Sequence, residues 1–238
     1  MSNASNKSSA ISHIVNKAFR YIEHKILRDF KELGFLQNSR KGTSNFAQNS
    51  FDYIAKSLYQ DLKNARPAFG FVINGQEICP PKDKSTSKYI IQPIDGFDNF
   101  MHAIPYFAVN IIVENNNVIE QFFAFNPILK IEFEINETAA LLNQQKVKVS
   151  KRDNISDGLL ASNYFMAGVN LFNSGCITVD LAYFSSARFD GCVYKNFNIN
   201  DLPILAMLCK ATGGKAEQIG DIMLLSNGAI HNQIKKIL

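Results

Sequence analysis

The chain contains no apolar run approaching the roughly 20 residues a membrane-spanning helix requires, which excludes a helical membrane span as its organising feature. Its 13 glycines and 7 prolines show no period, so a collagen-like chain is excluded, and an apolar content of 46% excludes a wholly disordered one. Cysteine is scarce. The four present (Cys79, Cys176, Cys192 and Cys209) never fall in a C-x-x-C spacing, so a zinc ribbon or dithiol redox centre is not expected, and buried thiols in a reducing cytosol are. The four histidines, His13, His24, His102 and His231, are far apart and occur neither in H-E-x-x-H nor beside a serine or cysteine nucleophile signature. Surface or packing roles follow for them. The N-terminus has no basic segment leading into an apolar one, so the expected location is the cytoplasm. An excess of 25 Lys+Arg over 21 Asp+Glu gives a formal charge of +4, too small and too scattered to be a nucleic-acid footprint by itself.

With 238 residues the chain suits one or two compact units, a length that buries roughly 70–75% of the unfolded surface. Residues 1–8 are polar and expected to be disordered. From Ile11 onward Ile14, Val15, Ala18, Phe19, Ile22, Ile26, Leu27, Phe30 and Leu33 recur at spacings of three and four, which predicts a long amphipathic helix stopped near Gly34. The polar stretch Gln37 to Asn49 reads as a loop or hairpin. Phe51, Ile54, Ala55, Leu58 and Leu62 then mark a second helix. The period changes at Phe69 to Ile73 and at Tyr89 to Ile91, both read as buried strands separated by a loop from Pro80 to Lys88. Ala108 to Val113, Val118 to Phe125 and the alternating Lys130 to Ile135 continue the strands, giving an antiparallel meander after the helices. A helix around Val179 to Ala187, a strand near Gly191 to Tyr194 and a helix from about Asp201 to Thr212, with Asn200 as its cap, complete the pattern. The expected division is an N-terminal α+β half over 9–150 and a C-terminal α/β half over 151–238, packed as one globular unit.

Chemistry concentrates in Tyr89-Ile-Ile-Gln-Pro-Ile-Asp-Gly-Phe-Asp-Asn-Phe-Met-His102, where a buried strand passes through Pro93 into a glycine turn that opens onto a helix. Such a turn presents backbone N–H groups to an anion, while Asp95 just before it can hold a cation. The stretch resembles the first signature of the inositol monophosphatase family of Mg²⁺-dependent, lithium-sensitive phosphatases, Asp-Pro-(Ile/Leu)-Asp-Gly-Thr-x-Asn-Phe. The likeness continues through Ile104-Pro105-Tyr106-Phe107-Ala108-Val109, Phe125-Asn126-Pro127, Val147-Lys148-Val149-Ser150, Asp180-Leu181-Ala182-Tyr183, Arg188-Phe189-Asp190-Gly191, Asp201 with Gly213-Gly214, and Ser226-Asn227-Gly228-Ala229-Ile230-His231. Nearly the whole chain takes part. The resemblance implies a layered αβαβα sandwich of the inositol monophosphatase and sugar phosphatase type, usually a homodimer, with Mg²⁺ and a phosphate ester held between its halves.

Carried over residue by residue, the resemblance implies metal ligation by Asp95, Asp201 and the backbone carbonyl of Ile94, and phosphate binding at Gly96 and the N–H of Phe97. It also implies losses. The metal-bridging first Asp of the signature is Gln92. The ligand Glu of a Gly-Glu-Glu stretch falls at Asn74, unless a gap brings Glu77 near. The Thr that orients the attacking water is Phe97, and a supporting Asp of an early motif falls at Phe51. On the substrate side the small Gly-(Ser/Thr)-Ala turn is Gly175-Cys176-Ile177, and a substrate-contacting Glu is Tyr194.

Neutral amides in place of carboxylates weaken Mg²⁺ binding, and metal-assisted hydrolysis needs that charge. The favoured expectation is a pseudoenzyme on the phosphatase fold, with no Mg²⁺ or weak Mg²⁺, acting as a binding or regulatory protein. Its partner is a protein, RNA or an anionic small molecule, with no membrane involvement. Asp95 and Asp201 then serve as helix caps. The alternative is an active Mg²⁺-dependent phosphatase hydrolysing inositol monophosphate or a related sugar phosphate, with Glu77 or Asp98 supplying the missing carboxylate.

Overall fold

The computed structural model describes residues 2–38, 40–198 and 202–238, with the side chains of 2–9 and of Arg40 excepted. Asn200 and Asp201, the expected cap and metal ligand, lie outside the described residues. The chain divides into two compact units, Met1–Ile131 and Glu132–Leu238; the boundary read from the sequence lies at 150. Among the described residues no helix is long and apolar enough to cross a membrane.

In the first unit α1 (Ser2–Phe35) carries the apolar stripe, and Ile11, Val15, Ile22, Ile26 and Leu33 are fully buried along it. Its backbone helix opens at Ser2, ahead of the stripe. α2 runs over Arg40–Ala65, so the segment expected as a loop up to Asn49 is helical. The sequence hides this because the inward positions of the added turns are small or polar. Thr43, Ala47 and Ser50 are buried in series with Ile54, Leu58 and Leu62, at the same spacing of three and four. Ser50 Oγ donates to Asp29 Oδ2 at 2.6 Å, and Asp29, on the buried side of α1, is also ion-paired to Lys25. A buried carboxylate needs such partners, and it fastens α2 to α1.

The strands β1 (Gly70–Ile73), β2 (Gln76–Cys79), β3 (Ser87–Asp95), β4 (Ala108–Asn115) and β5 (Val118–Asn126) stand in the order β2-β1-β3-β4-β5. The expected purely antiparallel meander is corrected here, because β1 and β3 pair in parallel. β2, unrecognised in the sequence, turns back beside β1 as an outer strand, and residues 80–86 then return the chain to β1's other side. Gly70 allows this return. A Cβ there would meet Pro81 at 2.7 Å. Helices and strands share one apolar core in which Phe71, Tyr89, Phe100, Phe107 and Phe123 are fully buried.

The second unit contains the antiparallel strands β6 (Ile131–Asn136), β7 (Ala140–Leu142) and β8 (Gln145–Lys146). Its five-stranded sheet has the order β10-β9-β11-β13-β12, built from β9 (Leu159–Ser162), β10 (Asn170–Phe172), β11 (Gly191–Lys195), β12 (Lys215–Ile219) and β13 (Ile222–Ser226). β9 pairs in parallel with both β10 and β11, whereas β13 is antiparallel to β11 and β12. The helices are α4 (Ile177–Ser185), α5 (Leu202–Thr212) and α6 (His231–Lys235), with α5 ending at a left-handed Gly213. Cys176, Cys192 and Cys209 are buried free thiols and Cys79 is half-buried. Burial raises the pKa of Cys192 well above its ordinary value and that of Cys209 to about 12. Both thiols are therefore protonated packing groups.

Candidate functional site

The signature segment occupies the end of β3 and the turn after it. Alternation along β3 buries Tyr89 and Ile91 in the core and leaves Ile90 and Gln92 half-buried on the other face. Gln92 is the last regular partner of Asn110. Pro93 has no N–H to give, the ladder bulges, and pairing resumes only at Asp95 opposite Ala108. Gly96, with φ 72° and ψ 41°, then turns the chain into α3 (Phe97–Met101). That left-handed conformation favours glycine, and α3 is a single short turn of five residues.

The polar atoms at this end of β3 are engaged with the protein itself. Gln92 Nε2 donates to the Ile94 carbonyl at 3.3 Å, the same oxygen for which the family resemblance implies a metal-facing role. The parallel register sets Ile73 opposite Ile91, and Asn74 N–H donates to the Ile91 carbonyl at 2.9 Å. Asn74 therefore sits where β1 comes level with Gln92. It has a second task, because Asn74 (φ 47°) and Gly75 (φ 78°) make the two-residue turn that joins β1 to β2. An Asn-Gly pair with both φ values positive is the favoured chemistry of such a hairpin. Glu77 is exposed on β2 opposite Val72, two strands out from β3, or about 10 Å at the ordinary strand spacing. Asp98 is exposed in the first turn of α3, and its carbonyl accepts the His102 N–H at 3.0 Å.

Phe51 and Phe97 meet. Their ring centroids are 6.0 Å apart at an interplanar angle of 82°, the edge-to-face arrangement that the aromatic quadrupole favours, and both rings pack against the core. The two positions at which the resemblance implies an Asp and a Thr are thus one apolar contact between α2 and α3. Beyond α3, Asn126 is wholly buried. It donates through Nδ2 to the carbonyls of Pro105 (2.7 Å) and Phe107 (2.6 Å) and accepts the Leu129 N–H at 2.9 Å. It braces the Ile104 to Phe107 segment, a role visible in the sequence only as part of Phe-Asn-Pro. Among the described residues no group of three or more His, Cys, Asp or Glu side chains could hold a metal ion.

In the second unit the expected substrate-side residues split by exposure. Gly175 (φ 73°) and Ile177 are exposed, and Cys176 is buried at the start of α4. The turn is closed by Ser174 Oγ, which accepts the Cys176 N–H at 2.9 Å. Tyr194 on β11 is buried, and its hydroxyl donates to Asp180 Oδ2 on α4 at 2.8 Å. Burial first, then the neighbouring Cys192 and Asp180, raises its pKa well above the ordinary phenol value, so it stays a neutral donor.

Two further networks were not legible as sites. Asp190, 1% exposed, is held by Ser150, by Arg152 at 2.7 Å and by the Leu159 N–H at 2.9 Å. His231, expected in a surface or packing role, is buried between Ser226 Oγ (2.8 Å from Nδ1) and Glu217 Oε2 (2.9 Å from Nε2). Lys235 completes this set, 2.5 Å from Glu217 Oε1. Ser226 is wholly buried and also accepts the Gly228 N–H at 3.1 Å, so the Ser-His-Glu chain ties α6 to the sheet and presents no nucleophile.

No family model matches the chain. An inositol-1-monophosphatase of Caulobacter vibrioides is 30% identical over 250 residues, covering 92% of this chain and 96% of that protein. A protein of Xylella fastidiosa named Nus factor SuhB is 23% identical over 221 residues, covering 85% of this chain and 79% of its own length. Among solved structures, the extragenic suppressor protein SuhB of Bartonella henselae superposes with a TM-score of 0.80 at 24% identity, over 96% of this chain and 98% of that one. That likeness shows the fold, a layered sandwich of sheets and helices. Taken with the Caulobacter relative, it makes this chain a member of the inositol monophosphatase family.

Proposed function

We propose that this family member has lost metal-dependent phosphate-ester hydrolysis and works as a binding or regulatory protein. The observation that carries this reading is the edge-on packing of Phe51 against Phe97. Two hydrocarbon rings there neither accept a proton nor hold a water for attack on phosphorus. The Gln92 amide supports it, since it brings no charge and turns its N–H toward the Ile94 carbonyl. Mg²⁺ binds hard anionic oxygens and gives up its waters reluctantly, so two amides beside Asp95 do not suit a paired-metal site. No Mg²⁺, or one weakly held ion, accompanies the reading. Asp95, Ile94 and Asp201 are then vestigial ligand positions, and Gly96 and the Phe97 N–H a vestigial phosphate cradle. Gly175, Cys176, Ile177 and Tyr194 mark the former substrate side. By likeness to relatives named Nus factor SuhB, a comparable Nus-factor role is the partner reading. A homodimer in the cytoplasm completes the proposal.

The test is phosphate release from inositol 1-phosphate, read together with the melting temperature in millimolar Mg²⁺. The expected result is neither turnover nor a shift in Tm, because an ion that binds the native state must stabilise it. Combining Gln92→Asp, Asn74→Glu, Phe51→Asp and Phe97→Thr should restore a Mg²⁺-dependent rise in Tm. Retained hydrolysis is favoured by one observation, the 30% identity to a protein named inositol-1-monophosphatase. Mg²⁺-stimulated, Li⁺-inhibited phosphate release that disappears in Asp95→Asn would establish that second reading and overturn the first.

A further inference from the structure

The modest net charge is not evenly spread over the surface. At 100° per residue, His13, Lys17, Arg20, His24, Arg28 and Lys31 of α1 fall within an arc of about 80°, opposite the buried stripe. All six are exposed. At about 1.5 Å per residue the ridge they form is about 27 Å long. The helix's two glutamates lie on its flanks, half-buried Glu23 about 100° and exposed Glu32 about 80° from the ridge midline, and its one aspartate, Asp29, is buried. Two acids temper the ridge locally: Arg28 Nη2 lies 3.3 Å from Asp29 Oδ1, and Asp61 of α2 feels the charge of Lys17. Beside the ridge, Tyr21 is 59% exposed and has the Lys17 ammonium 5.8 Å from its ring centroid.

We propose that this face of α1 binds the phosphodiester backbone of a nucleic acid, with Lys17, Arg20, Arg28 and Lys31 as phosphate contacts and Tyr21 as a platform for a base. The inference rests on the binding role proposed above and names its partner class. A straight row of cations with no acid on its midline complements a polymer carrying one phosphate per about 3.4 Å of each strand. An exposed aromatic among such cations is the element single-stranded binding adds, since every base has a face to stack. A lipid surface fits less well, because the apolar side of α1 is spent in the protein core and none is left to insert.

The experiment is fluorescence anisotropy of the full-length chain with labelled single-stranded RNA and DNA of about 20 nucleotides, over a range of salt. The wild type should bind with log K falling against log salt at a slope of about −3, as four single-strand phosphate contacts require. The triple variant Lys17→Gln/Arg20→Gln/Lys31→Gln should lose at least about tenfold in affinity and bring the slope to about −1, with unchanged melting because all three side chains are exposed. The control Lys82→Gln/Lys84→Gln/Lys130→Gln removes the same charge from exposed positions elsewhere and should change little. Preference for the RNA or the DNA arm identifies the source of the backbone. Equal losses in variant and control, no oligonucleotide binding, or tighter binding to phosphatidylserine vesicles or to poly-glutamate would each overturn the assignment. Phosphate release and the Mg²⁺-dependent Tm are separate readouts, so failure here and failure of the lost-hydrolysis reading are told apart.

Discussion

The carboxylates of the second unit and the acid positions at the end of β3 in the first are treated in opposite ways. In the second, Asp180, Asp190 and Glu217 each have donors supplied by the protein: the Tyr194 hydroxyl, the Arg152 guanidinium with the Leu159 N–H, and Lys235 with His231. In the first, at the end of β3, the positions where the family resemblance implies acids facing metal carry Gln92 and Asn74; the Gln92 amide bonds within its own strand, and Asn74 serves as a hairpin-turn residue. A buried or crowded anion persists where N–H and O–H groups stabilise it. Where its counter-charge was a bound cation, losing that cation leaves repulsion, and neutral replacements remove it. On the proposed reading, Phe51 and Phe97 extend the same logic, an aromatic contact where the resemblance implies polar groups.

The largest effect that tests this contrast is expected at Asp190. Asp190→Ala leaves the Leu159 N–H and the Arg152 head without their acceptor and should destabilise the protein by about 3 kcal/mol in urea unfolding, whereas Gln92→Ala, which removes one 3.3 Å hydrogen bond of a half-buried neutral amide, should cost no more than about 1 kcal/mol. Equal losses would erase the difference between the units. Next comes the aromatic junction. A double-mutant cycle with Phe51→Ala and Phe97→Ala should give a coupling of about 1 kcal/mol, and a coupling near zero would mean the rings merely lie side by side. A smaller cost is expected at Asn74. Asn74→Glu places a long side chain on a left-handed backbone and should cost about 1 kcal/mol, while Asn74→Gly should be close to neutral. A neutral Asn74→Glu would show that turn geometry does not hold the amide there.

The smallest effect is a pH dependence. The hydrogen bonds from Lys235 and His231 lower the Glu217 pKa from 4.5 to about 2. A carboxylate whose pKa is depressed on folding stabilises the fold fully above its unfolded pKa, and that contribution fades as the pH falls from about 4.5 through about 2. Glu217 is solvent-accessible, so the change should be slight: Glu217→Gln should melt less steeply with falling pH across that window, with little difference from wild type at its lower end. A parallel acid profile for the two proteins would remove Glu217 from the account.

Much of the fold is legible in the sequence because α1, β3 and α5 each bury an apolar set at one clean period, while β4 and β5 are short, nearly continuous buried runs on either side of a polar turn. The beginning of α2 is not, since Thr43, Ala47 and Ser50 gain their inward role only against α1 and the buried Asp29. β2 escapes for a related reason: Gln76, Glu77 and Ile78 are all exposed, so no face alternates. At the candidate site the residue types themselves speak, and Gln92, Asn74, Phe51 and Phe97 are conspicuous by resemblance alone. Their partners are not. That Gln92 reaches the Ile94 carbonyl, that Asn74 is also a hairpin residue, and that the two phenylalanines are neighbours depend on strand register and helix packing.

By itself the sequence determined the family, the helices and strands with a clear apolar pattern, and which chemical groups the signature carries, because local period and residue identity are properties of the chain read in order. Tertiary structure alone decided which of those groups meet: the parallel seating of β1 on β3 and the aromatic junction between α2 and α3. Contacts between residues far apart in sequence arise only when burial of a common apolar core fixes their spacing, and a linear pattern does not encode that distance.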